Sequence, residues 1–204
     1  MSMLIKPKAL SGFVVVAALL VALGAGAQSQ TTLAPAYAKP GVNLRPYQQF
    51  LLLPLGVSDT RLVPPPWVEN PNPREWDLTR KNRETLASSY ASAVRAGIES
   101  EGKFRVVTEP TPGTLQIEMR IVSLTPWASR AETDAQTLGS GTLTFEAHVR
   151  DAPTGELLFV FQGTQQVGQD YQENTAYNKV AGLTDHFTNW GRNISRRLAE
   201  VQGR

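Results

Sequence analysis

The sequence predicts a single α+β domain: a two-layer sandwich in which two long helices lie on a mostly antiparallel sheet, in the order β-α-β-β-β-β-α. Three observations carry this. Over residues 78–101 and 175–201 the apolar positions recur every three to four residues, the period of a helix that buries one stripe. Between these stretches the period changes to two, as in half-buried strands. The chain also has no cysteine, so the fold must hold by core burial without disulfides.

Taken in order, the chain begins with Lys6 and Lys8, an apolar run from Ala9 to Leu23, and Ala25-Gly26-Ala27. This is the layout of a secretory signal peptide over residues 1–27. The run is about 15 residues, short of the roughly 20 needed to cross a bilayer core. Cleavage after Ala27 is therefore expected, with an uncleaved inner-membrane anchor as the alternative. No later segment is long and apolar enough to span a membrane.

Residues 28–46 read as a flexible N-terminal tail, rich in Gln, Thr, Ala and Pro and without sustained period. A single domain is expected over 47–202. It opens on the apolar run Tyr47 to Leu55, a strand buried on both faces that Pro54 ends or places at an edge. Residues 64–73 hold five prolines around Trp67 and predict a stiff loop of polyproline character. A helix follows to about Glu101, with Leu86, Tyr90, Val94 and Ile98 on one stripe and Ala93 and Gly97 beside them; Gly102 suits its C-terminus.

Phe104 to Val107 forms a short strand. Leu115, Ile117, Met119 and Ile121 then alternate with polar residues, and the apolar phase flips at Ile121-Val122, which predicts a bulge. Leu143, Phe145, Ala147 and Val149 mark the next strand. Asp151-Ala152-Pro153-Thr154-Gly155-Glu156 is a hairpin turn, with Pro153 presetting φ and Gly155 supplying a left-handed residue. The partner strand, Leu157 to Val167, starts apolar on both faces and so needs cover on the second, expected from the last helix. That helix carries Val180, Leu183, Phe187, Trp190, Ile194, Leu198 and Val201 on one stripe. Gly182 and Gly191 favour packing on the protein itself over a coiled coil. Phe50, Leu53, Phe145, Phe159, Phe187 and Trp190 are the expected core.

Composition narrows the function classes. Without residues 1–27, the 20 basic residues lose Lys6 and Lys8 and balance the 18 acidic ones. A nucleic-acid binder needs a basic patch, which this balance does not support. The cluster Arg192, Arg196 and Arg197 suits the C-terminal end of a helix dipole. His148 and His186 are the only histidines. His148 falls on the polar phase of a strand and His186 at the margin of a helix stripe, and neither stands in a triad-like spacing, so both read as structural. No metal-ligand spacing occurs: the histidines are far apart, and Glu132 and Asp134 are too few for a calcium loop. Gly139-Ser140-Gly141 lacks the lysine and length of a phosphate loop. No cofactor is expected.

The aromatics are more informative. Trp67 and Trp76 flank a proline-rich loop, and Trp127 follows Pro126 at a strand end. Loop aromatics on a rigid scaffold are favoured anchors for a partner; the competing reading has them closing the core at the sheet edges.

Several runs resemble a family of bacterial envelope lipoproteins known only as a domain of unknown function, number three-three-one-three. They are Tyr47-Gln-Gln-Phe-Leu-Leu-Leu-Pro-Leu55, Phe104-Arg-Val-Val107, Gly113-Thr-Leu-Gln-Ile-Glu-Met-Arg-Ile121, and Gly141 through the Asp-Ala-Pro-Thr-Gly-Glu hairpin to Leu157. The resemblance spans about residues 40–202 and implies an envelope protein, but its motifs are structural and carry no active site. The element order is also distantly similar to accessory lipoproteins of transport-auxiliary and curli-secretion types. Family members carry a cysteine for lipid attachment where export ends. Ala25-Gly26-Ala27-Gln28 stands there instead, so the lipid anchor does not carry over.

The expectation from sequence is thus an exported, non-catalytic periplasmic protein, an accessory or binding module for an envelope protein or glycan. The expected place is the periplasm or the periphery of the outer membrane, without a lipid anchor. The alternatives are a periplasmic hydrolase using His148 or His186, and a structural subunit that oligomerises by a sheet edge or the last helix.

Overall fold

A computed structural model describes residues 35–203; the expected leader, and the tail before residue 35, lie outside the described residues. Nine strands and two long helices follow in chain order: β1 Pro35–Ala38, β2 Gln49–Leu52, β3 Arg61–Leu62, α1 Arg80–Glu99, β4 Arg105–Val107, β5 Thr114–Pro126, β6 Gln136–Leu138, β7 Gly141–Asp151, β8 Leu157–Val167, β9 Tyr171–Glu173 and α2 Ala176–Gln202. The main sheet has the order β1-β8-β7-β5-β2-β4, with β3 also on β5, and β6 and β9 form a separate ribbon. The α+β sandwich of the sequence reading is therefore present, with four short strands added to it.

Strands β5, β7 and β8 form an antiparallel meander, whereas β2, β3 and β4 join it in parallel. The mixture follows from the chain. A six-residue turn joins β7 to β8, but β2 reaches β4 only through α1, and a long crossover returns a strand in the parallel sense. Between β2 and β3 the chain keeps to β5 through Gly56, whose N–H donates to the Met119 carbonyl at 2.8 Å and whose carbonyl accepts from Ile121 N at 2.9 Å. A Cβ at Gly56 would lie 2.9 Å from that of Arg120, so glycine permits the approach.

The expected bulge is present: the β5–β7 register shifts between Ile121 and Ser123. The hairpin also forms as read. Asp151 accepts from Thr154 N at 3.1 Å and Thr154 Oγ1 at 2.6 Å, and Gly155 takes a φ of +71°. Each helix starts on a threonine that accepts from the backbone three residues on, Thr79 from Asn82 and Thr175 from Asn178. Gly102 and Gly203 close them in the left-handed region, at φ +68° and +72°.

Leu115, Ile117, Met119, Ile121, Leu143, Phe145 and Ala147 face the helices and are buried with Leu86, Tyr90, Val94, Ile98, Phe187 and Leu198. Burying each large side chain contributes roughly 1.5–3 kcal/mol. Aromatic rings lock the layers edge-on: Phe145 meets Trp190 at 5.0 Å, Tyr90 meets Phe187 at 5.5 Å, and Phe50 meets Phe104 at 5.8 Å.

Three expectations need correction. Residues 35–38, read as tail, pair antiparallel with β8 and cover what would otherwise be an open edge; Leu44 is buried in the core. Leu53 is half-buried because β2 ends at Leu52 before Pro54, and Trp190 is half-buried at the helix margin although it touches Phe145. The last helix does not cover the second face of β8. It packs beside α1 on the first face, and the apolar start of β8 is explained by a register shift at Val149/Arg150 that leaves Leu158 as an extra residue. The opposite face of the sheet carries polar pairs instead, among them Arg120–Glu146 at 3.1 Å and Gln162–Glu146 at 2.8 Å.

Candidate functional site

The two helices run side by side in the same direction. Tyr90 meets Phe187, and four residues further along both chains Val94 meets Gly191. They touch through glycines: a Cβ on Gly97 would lie 2.1 Å from the Thr188 carbonyl oxygen, and one on Gly191 would lie 2.3 Å from that of Val94. On the N-terminal side of this contact a cleft of about 580 Å³ lies between the helices and one end of the sheet. That volume is within the range of small-ligand sites.

Sequence-distant segments build its wall. The floor comes from Leu124 and Pro126 at the end of β5, Val167 at the end of β8, Leu86 on α1 and Leu183 on α2. Trp76 and Leu78, in the segment entering α1, close one side and are each 8% exposed. A further part of the wall is the loop from Ala128 to Thr133, held by Asn174. The Asn174 side chain is buried and donates to the carbonyls of Ser129 at 2.6 Å and Glu132 at 2.8 Å. Glu132 itself accepts from the Ser129 N–H at 2.8 Å. Residues read as a plain solvated loop therefore form a hydrogen-bonded wall.

Lys179 is the half-buried cation of the cleft. Desolvation lowers its pKa, partly opposed by the charge of Glu132. Among the described residues Lys179 makes no ion pair within 4.0 Å. The other charged residues along the wall are Glu75, Asp77, Lys81 and Arg130. Of these, Asp77, Lys81 and Arg130 are exposed and Glu75 is half-buried at the rim.

The three tryptophans expected to anchor a partner divide. Trp67 is 62% exposed and packs on half-buried Trp127, with ring centroids 5.5 Å apart and planes tilted by 34°. The support is rigid, since Pro65 beneath the loop is fully buried. Trp127 stands between Pro126 and Ala128, both of which line the cleft. Trp76 departs from the expectation of an exposed loop aromatic: it is buried and lines the cleft.

His148 lies on the open face of the sheet, its Nε2 3.0 Å from Glu146 and its Nδ1 3.9 Å from Glu118. His186 is on α2 in the helical layer, where burial lowers its pKa. The two histidines are thus on different layers, and neither is within hydrogen-bond reach of a hydroxyl among the described residues. No cluster of three or more metal-ligating side chains occurs among the described residues. Arg196 and Arg197 pair with Glu200 on the same helix. At the far end of the domain, Tyr47 Oη donates to Asp151 at 3.1 Å. Burial first, and then Asp151, push the Tyr47 pKa up to about 12. The Thr154 hydrogen bond chiefly holds Asp151 below the usual carboxylate range.

The chain belongs to the family described as "Protein of unknown function (DUF3313)", which it matches over residues 11–194. No curated protein matches it. Among solved structures it is similar to protein XCC0632 from Xanthomonas campestris, of family DUF330, with 14% identity and a TM-score of 0.43, covering 81% of this chain and 91% of that one. It is also similar to a PelC dodecamer subunit from Paraburkholderia phytofirmans, with 10% identity and a TM-score of 0.39, covering 72% and 89%. Lipoprotein GNA1162 from Neisseria meningitidis shows 14% identity and a TM-score of 0.29, covering 70% and 96%. These likenesses are too distant to bear on function. No described helix is long and apolar enough to cross a membrane.

Proposed function

We propose that this chain is an exported, non-catalytic binding module of the bacterial cell envelope, and that it engages its partner at the end of the sheet where the cleft opens. The observation that carries this reading is the apolar cleft itself, with exposed Trp67 packed on half-buried Trp127 beside it. A preformed concave apolar site with few polar groups binds ligands well. An exposed aromatic ring on a rigid support adds contact area at small entropic cost. The leader-like residues 1–27 support export. No observation favours the hydrolase alternative.

Capture on the immobilised exported protein from a detergent extract of cell envelope tests this. A retained partner should be lost with Trp67→Ala, which removes the exposed ring, and with Leu183→Trp, which fills the cleft. Circular dichroism should show both variants folded. Equal retention by wild type and both folded variants would overturn the assignment of this end of the domain.

A further inference from the structure

We infer that the cleft takes one medium-chain fatty acid, its apolar chain lying along Leu183, Val167, Leu124 and Leu86 and its carboxylate meeting the Lys179 ammonium. The inference rests on the reading of the cleft as a binding site and names the chemistry of its occupant.

Four features select this class. The floor residues Leu86, Leu124, Pro126, Val167 and Leu183 are apolar, and amide groups laid on them without hydrogen bonds are costly to bury; an acyl chain has no such groups. The volume of about 580 Å³ suits one small ligand. Lys179 is half-buried and unpaired among the described residues. In that partly desolvated position an anion interacts with it more strongly than with an exposed cation. The nearest acid acting on it, Glu132, is exposed and already accepts from the Ser129 N–H. The remaining wall charges are Glu75 and Asp77 against Lys81 and Arg130, which balance one another. Glu75 is tied to Asn72 at 3.1 Å, and the Arg130 guanidinium donates to the Arg74 carbonyl.

The head group follows from the donor count. Phosphate recognition favours several convergent donors or a bidentate guanidinium. Here Lys179 is the one half-buried cation of the cleft, and the hydroxyls of Ser140 and Thr142 line the same cleft. That set suits a monoanionic carboxylate. Lysine stems also cover apolar surface simply to keep the ammonium in water, and the test must separate that role from ligand binding.

Isothermal titration of the exported protein with sodium dodecanoate, below its micellar concentration, supplies the test. Dodecanol, dodecyltrimethylammonium and dodecyl phosphate serve as comparison ligands. Dodecanoate should bind with a stoichiometry near one and more tightly than the other three. Lys179→Met should weaken dodecanoate about tenfold, the scale of one lost charged hydrogen bond, and leave dodecanol unchanged. Leu183→Trp should abolish binding of both. Equal binding of dodecanoate and dodecanol, unaffected by Lys179→Met, would overturn the carboxylate assignment, and tighter binding of dodecyl phosphate would move the head group to a phosphate. If no amphiphile binds while Leu183→Trp still abolishes envelope capture, the fatty-acid inference fails and the binding-module reading stands. If Leu183→Trp affects neither, both fail.

Discussion

Replacing Gly97 by alanine tests the closest contact in the fold. The added Cβ would lie 2.1 Å from the Thr188 carbonyl oxygen and 2.8 Å from Arg192 N, both backbone atoms of the facing helix. No side-chain rotation relieves such an overlap. The helices must separate by about an ångström, loosening the Tyr90–Phe187 contact about two turns back along α1. Overpacking of this kind costs about 1–3 kcal/mol, occasionally more, and rigid backbone on both sides places it at the upper end. Alanine returns about 1 kcal/mol in helix propensity, so the expected net loss is about 2 kcal/mol. For a domain of this size that lowers the melting temperature by about 4–8 °C. Gly191→Ala should behave alike, since its Cβ meets Val94 O at 2.3 Å. The double variant should lose less than the two losses together, because the first alanine has already parted the helices. Gly182→Ala is the control: its Cβ would meet only the Ser140 hydroxyl at 3.2 Å and Val167 Cγ1 at 3.8 Å. It should stay within about 1 kcal/mol of wild type, the size of the helix-propensity gain. Thermal unfolding followed by far-ultraviolet circular dichroism measures all four. A Gly97→Ala protein that melts at or above the wild-type temperature would refute the close helix approach.

Three further outcomes follow from buried and shifted groups. Tyr90 Oη is fully buried with no hydrogen-bond partner among the described residues, so Tyr90→Phe should be neutral or stabilising by about 1 kcal/mol in urea titration; a loss of that size would reveal a hidden partner. Asp151 has a lowered folded pKa, so its contribution is present above the unfolded value near 4 and is lost as the pH falls through the folded one. Asp151→Asn should therefore cost about 1 kcal/mol at neutral pH, with the difference from wild type vanishing in acid. His186 also has a lowered folded pKa. The unfolded chain binds its proton first, so stability should fall as the pH drops below about 6.5. His186→Leu should flatten that part of the stability–pH curve, and an unchanged slope would count against burial as its cause.

Much of the fold was legible because it rests on local periods. Leu86, Tyr90, Val94 and Ile98 mark one helix by spacing alone, and all four are buried. The alternation from Leu115 to Ile121, with its flip, located a bulge that the register bears out. The Asp151 to Glu156 turn could be read because Pro153 and Gly155 each impose a backbone preference. The short strands were not legible. Pro35–Ala38 and Arg61–Leu62 have little period of their own and become strands only because β8 and β5 offer them unpaired backbone. The apolar run from Leu157 to Phe161 suggests a second buried face because a bulge at Leu158 cannot be distinguished from two-sided burial without the partner's register.

The cleft shows the same division more sharply. By itself the sequence determined the fold class and the two amphipathic helices, since each depends on residue type or near-neighbour spacing. It also marked Trp67 and Trp127 as noteworthy without indicating that they stack. Tertiary structure decided that Trp76 is wall, that Lys179 stands half-buried and unpaired, and that Leu86, Leu124, Val167 and Leu183 share one concave surface. Those four come from two helices and two strands, and no local pattern records their meeting. Helix direction and separation bring them together, set by the glycine contact between Gly97 and Gly191, so the cleft follows from the packing of whole elements.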